Sequence, residues 1–140
     1  AHLLGNKCPF LARFGFDSVF HYGPTKGTHG SAILLHRDFP LLVSRVRTDD
    51  RGQYVAVDGS LNGRQVKIVS VYVPPALGLS ILTDLMAMLS ALPQGLTVIG
   101  GDFNDVMSTE LDHLGAPGLW PRQASGLGRW VEGLRLCGVW

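Results

Sequence analysis

A chain of 140 residues, 46% of them hydrophobic and with a mean hydropathy of +0.19, is core-forming rather than disordered. One domain is the expectation, able to bury roughly two thirds of its surface. Twelve basic against 11 acidic residues leave a net charge of +1, which neither argues for a nucleic-acid partner nor excludes one. No apolar run approaches the ~18 residues of a membrane-crossing helix, so no membrane partner is expected.

The 18 glycines and 8 prolines predict many turns. In chain order, Phe10, Leu11, Phe14 and Phe16 form a short apolar cluster ahead of Val19 and Phe20. A loop rich in glycine follows, from Gly23 to Gly30. Gly30 to Leu35 then reads as a buried strand ending at His36-Arg37-Asp38. Tyr54 to Gly59 alternates as a half-buried strand does. Asn62-Gly63, between Leu61 and Arg64, supplies the two positive φ angles of a tight hairpin. The returning strand, Gln65 to Val73, stops at Pro74-Pro75.

A helix comes next, because Ile81, Leu82, Leu85, Met86, Leu89 and Leu92 recur at helical spacing. Ser80 is its expected cap, and Pro93 with Gly95 its end. The apolar strand from Leu96 follows, and Leu127, Trp130, Val131 and Leu134 mark a second helix. Antiparallel strands feeding a strand–helix–strand crossover imply a mixed sheet covered by helices. Such a crossover makes the strands ending at Tyr72 and Asp102 parallel, with both residues at the same edge.

The chemistry concentrates at Leu96 to Asn104, where an apolar run stops at Gly100-Gly101 and is followed by Asp102-Phe103-Asn104. In extended backbone, residues i and i+2 share a side, so Asp102 and Asn104 would converge while Phe103 anchors the strand end. A carboxylate that binds metal or activates water, beside an amide that donates to a phosphate oxygen, suits phosphodiester hydrolysis. Taken singly, these are also ordinary turn and capping residues, and Tyr72 is also an ordinary core aromatic.

Several other motifs are excluded by spacing. An EF-hand loop counted from Asp102 would need Gly and Glu where Met107 and His113 stand. There is no HExxH, GxSxG or P-loop. The histidines at 2, 21, 29, 36 and 113 lack zinc-site spacing, and His21, His36 and His113 read as solvated loop residues. Asp105, Glu110 and Asp112 are assigned to solvent, and Arg45, Arg47, Arg51, Arg64 and Lys67 to scattered surface charge. Cys8 and Cys137 read as two buried reduced thiols, which fits an intracellular setting.

Three segments in order, Gly30 to Leu35, Val71-Tyr72-Val73-Pro74 and Gly100-Gly101-Asp102-Phe103-Asn104, resemble the endonuclease/exonuclease/phosphatase superfamily. Within it, the chain is most similar to the endonuclease domains of LINE-type non-LTR retrotransposon polyproteins. The likeness covers essentially residues 1–140, as a partial domain truncated at both ends. It implies an α/β fold, an incomplete deoxyribonuclease-like four-layer α/β/β/α sandwich. It also implies hydrolysis with Mg²⁺, or Mn²⁺ in its place, and DNA as partner.

By position in the motifs, the resemblance makes Tyr72, Asp102 and Asn104 catalytic, with Asp102 and Asn104 at the metal. Asp102 would orient or deprotonate the attacking water. Asn104 would hold a phosphate oxygen or a metal-bound water, and the Tyr72 hydroxyl would approach the scissile phosphate. The family's metal-binding Glu would precede Ala1, and further Asp residues and a His would follow Trp140. His29 and Gly138 stand where relatives often have Arg and Asp. The expectation is therefore a DNA-nicking domain that is weak or inactive as this chain alone. The alternative is a catalytically dead remnant that only binds nucleic acid or protein. The location is intracellular, and nuclear within an active retrotransposon protein. A phosphomonoesterase of the same superfamily lacks support, because no head-group-binding elements are recognisable.

Overall fold

The computed structural model describes residues 9–22, 30–74, 78–91, 94–104 and 126–138. In chain order they form α1 (Pro9–Ala12), β1 (Phe16–Tyr22), β2 (Ser31–His36), β3 (Leu41–Thr48), β4 (Tyr54–Leu61), β5 (Arg64–Tyr72), α2 (Gly78–Ser90), β6 (Leu96–Asp102) and α3 (Gly126–Gly133). The class is mixed α/β, as the alternation and the crossover predict. The chain divides into two compact units, Ala1–Tyr72 with Pro93–Asp102 and Val73–Leu92 with Phe103–Trp140.

The first unit holds two sheets. β1 and β2 form an antiparallel pair, and the larger sheet has the order β3-β4-β5-β6. β4 and β5 are a hairpin joined by Asn62 (φ 51°) and Gly63 (φ 79°), the two-residue turn that Asn-Gly favours. β6 then runs parallel to β5, from Val66 opposite Leu96 to Tyr72 opposite Asp102. This is the parallel pairing anticipated for the crossover.

The alternation of β4 and β5 explains why the sheets stack. Val55, Val57 and Val66 lie on one face and are buried with Ile33, Leu35 and Leu41, while Phe20, Val46, Leu61 and Ile68 pack around them. Burying side chains of this size contributes about 1.5–3 kcal/mol each. Among the described residues β6 is the last strand of its sheet, and Leu96 and Val98 on it stay 62% and 49% exposed.

The second unit contains α2 and α3. Ile81, Leu82, Leu85 and Leu89 of α2 are buried, and Met86 is half-buried, so the helical spacing translates into one apolar face. From α3, Leu127 and Trp130 are buried, and the Trp130 indole N–H donates to the Leu82 carbonyl at 2.8 Å.

Several sequence expectations need correction. α2 begins at Gly78, so Ser80 lies within its first turn and does not cap it. β1 and β3 were not foreseen as strands. Each carries a register irregularity, between Phe16 and Ser18 and between Val43 and Arg45, that breaks the two-residue period. His21 lies in β1 rather than a loop. His36 ends β2, with its ring edge-on to Phe16 and its Nδ1 3.5 Å from an Asp38 carboxylate oxygen. Cys137 is exposed rather than buried. Cys8, His29, His113, Asp105, Glu110 and Asp112 lie outside the described residues.

Candidate active site

The site begins with the parallel pairing of β5 and β6. Neighbouring strands stand about 4.8 Å apart, and register partners on them project from the same face. Tyr72 and Asp102 are such partners, each the last residue of its strand. Alternation along β5 puts Tyr72 on the side of Val66 and Ile68, the side covered by the two-stranded sheet. Tyr72 is half-buried and Asp102 exposed, so a phenol and a carboxylate sit side by side with a path to solvent.

Gly101 makes this pairing feasible. Its φ is 147°, and a Cβ there would drive into the backbone of Val71, its partner on β5. At Gly100 a Cβ would meet nothing within 4 Å. Of the two glycines, only the second is required sterically. It allows the strand end to close on β5 and bring Asp102 level with Tyr72.

The Tyr72 end is fixed from the other side by a loop that the sequence pattern did not single out. The Asp49 carboxylate accepts from the backbone N–H groups of Gln53 (2.6 Å), Tyr54 (3.0 Å) and Arg51 (3.1 Å). So held, the Gln53 carbonyl accepts from the Tyr72 N–H at 2.7 Å and from the Ser31 hydroxyl, on β2, at 3.1 Å. The bond to Tyr72 extends the β4–β5 ladder by one step, and the bond to Ser31 ties both to the second sheet. An Asp five residues before the start of a strand, with a Gly between, is a local turn signal of the kind that side-chain-to-backbone bonding produces.

Asn104 departs from the geometry expected of it. The strand ends at Asp102, and Asn104 has φ 45°, so the extended alternation from Asp102 does not reach it. Its amide nitrogen donates to the Val73 carbonyl at 3.0 Å, which orients the carboxamide. The Phe103 ring lies 6.1 Å from that of Trp130.

The basic residues are not uniformly scattered. Arg47 Nε lies 3.3 Å from Asp58 Oδ2, and Asp58 Oδ1 is buried without a hydrogen-bond partner among the described residues. Lys67, across from Asp58 on β5, is buried rather than on the surface.

Among the described residues no group of three His, Cys, Asp or Glu could hold a metal ion. Asp102 offers one carboxylate, a hard oxygen donor. That suits a Mg²⁺ held partly by water and substrate phosphate and falls short of a dedicated protein cage. No helix among the described residues is long and apolar enough to cross a membrane.

No protein-family model matches the chain. The chain is similar to truncated Caenorhabditis elegans TDP2, at 16% identity and a TM-score of 0.48, over 84% of this chain and 51% of that one. It is also similar to TDP2 from C. elegans, at 16% identity and a TM-score of 0.46, over 74% of this chain and 36% of that one. The chain thus spans about half the length of the first and about a third of the second. TDP2 is a member of the endonuclease/exonuclease/phosphatase superfamily.

Proposed function

We propose that this chain is part of a DNA-nicking endonuclease domain of the retrotransposon type, which hydrolyses phosphodiesters with Mg²⁺, or with Mn²⁺ in its place. The complete domain would be the four-layer α/β/β/α sandwich, working inside the cell, and in the nucleus when part of an active retrotransposon protein. The observation that carries this is the register of Tyr72 against Asp102 at the ends of adjacent parallel strands. Ligand sites in open α/β sheets lie beyond the carboxyl ends of such strands.

In this mechanism the exposed Asp102 carboxylate orients the attacking water and accepts its proton. The water oxygen adds to phosphorus, the P–O ester bond on the far side breaks, and the leaving oxygen takes up a proton from solvent water. The Tyr72 hydroxyl donates to a non-bridging oxygen as charge builds there, which is differential stabilisation of the transition state. Asn104 holds a phosphate oxygen through the amide whose orientation its bond to Val73 sets. Asp102 and Asn104 are the residues that would hold Mg²⁺, whose positive charge favours attack on an anionic diester.

The absence of a three-ligand group among the described residues favours a second reading, a remnant that binds DNA without cutting it. Incubation of supercoiled plasmid with the chain and Mg²⁺, beside Asp102→Ala, separates the two. The proposal expects slow nicking that Asp102→Ala removes. DNA binding with equal nicking rates would establish the remnant, and a chain that neither binds nor cuts DNA would refute both.

A further inference from the structure

We infer that Gln53 is a phosphate-binding residue of this site, one that donates its side-chain amide to a non-bridging oxygen of the bound diester; the inference rests on the nuclease reading above. Gln53 stands opposite Tyr72, since the Tyr72 N–H donates to its carbonyl, and Tyr72 stands opposite Asp102. The three residues therefore form one row, Gln53 just ahead of β4, Tyr72 at the end of β5 and Asp102 at the end of β6. The bond from the Tyr72 N–H continues the β4–β5 pairing by one step beyond Tyr54, which keeps Gln53 level with Tyr72.

The state of this side chain is unusual for a purely structural residue. Gln53 is only 7% exposed, yet its hydrogen bonds run through the backbone, from its N–H to Asp49 and to its C=O from Tyr72 and Ser31. Among the described residues its carboxamide has no partner. It is not sealed off, since Asp58 Oδ1 is the one fully buried side-chain N or O atom without a partner among the described residues, so the Gln53 amide reaches solvent and is open to a ligand. A carboxamide brings two N–H donors and no charge, and phosphate oxygens only accept. Across Tyr72 from Asp102, a neutral donor contacts the diester without neutralising the carboxylate that must act as base. Its backbone is held on both sides, by Asp49 and by Tyr72 with Ser31, so little ordering remains to be done when a ligand arrives.

The test compares wild type, Gln53→Met and Gln53→Glu for binding to short fluorescent DNA duplexes, followed by anisotropy, with thermal unfolding measured in parallel. Methionine keeps the length and apolar stem without the donors. The inference expects about a 3- to 10-fold loss of affinity in Gln53→Met with an unchanged or raised Tm, and a larger loss in Gln53→Glu. The loss must be equal on A·T-rich and G·C-rich duplexes, because phosphate contacts carry no sequence information. Wild-type affinity in Gln53→Met, with wild type binding DNA, overturns this assignment and leaves the nuclease reading standing. A loss confined to A·T-rich DNA overturns it in favour of a base contact. A Tm that falls with affinity assigns Gln53 to packing, and a wild-type chain that binds no DNA removes the nuclease reading and this residue's role together.

Discussion

Gly101→Ala is the substitution that probes the strand end most sharply. Its φ of 147° lies where an L side chain is strained, at about 1–3 kcal/mol. The added Cβ also drives into the Val71 carbonyl, which is backbone and cannot rotate away. Relief requires β6 to draw back from β5 at its last residues, losing the pairing of Tyr72 with Asp102. Together these effects put the cost at about 3 kcal/mol or more. With an unfolding entropy of about 2.1 cal/mol/K per residue, a 140-residue chain loses about 10 °C in Tm for that cost. Gly100→Ala is the control, since its Cβ enters open space, and it should change Tm by no more than about 2 °C. Thermal unfolding by circular dichroism reads both. Equal melting temperatures for the two variants would refute the steric argument and the close approach of β6 to β5 with it.

Other substitutions test the surrounding structure. Asp49→Ala removes an acceptor shared by three backbone N–H groups and should cost about 2 kcal/mol, with Asp49→Asn recovering part of it in urea unfolding. Trp130→Phe leaves the buried Leu82 carbonyl without its indole donor, which predicts a loss of about 1–3 kcal/mol and faster amide exchange in α2 and α3. Arg47→Met strands the Asp58 carboxylate, whose Oδ1 is already without a partner, so it should destabilise by about 3 kcal/mol. The double variant with Asp58→Leu should recover most of that loss, and a failure to recover it would show that the ion pair is not what holds this part of the sheet.

What the sequence made legible follows from which forces leave a periodic trace. The Asn62-Gly63 turn, the α2 face from Ile81 to Leu89 and the parallel return of β6 each follow from a local rule, a turn dipeptide or a spacing, and all three are present. β3 was illegible because Leu42 and Val43 are exposed where apolar residues are expected inside, and the irregularity between Val43 and Arg45 shifts the period. Tyr72 and Asp102 could be placed together because strand geometry carries that information. Asn104 could not be placed, because a left-handed φ just after the strand ends is invisible to a two-residue period. Gln53 and Asp49 were missed for a different reason. Their bonds go to backbone groups, and such bonds constrain position without demanding a recognisable pattern of side chains.

The central claim is that Tyr72 and Asp102 act on one bound phosphodiester, and a double-mutant cycle of Tyr72→Phe and Asp102→Ala on DNA affinity tests it most directly. Groups that engage the same ligand atoms couple, so the cycle should show an interaction energy of about 0.5 kcal/mol or more. Effects on affinity that add to within about 0.3 kcal/mol would place the phenol and the carboxylate in separate environments and contradict a shared site.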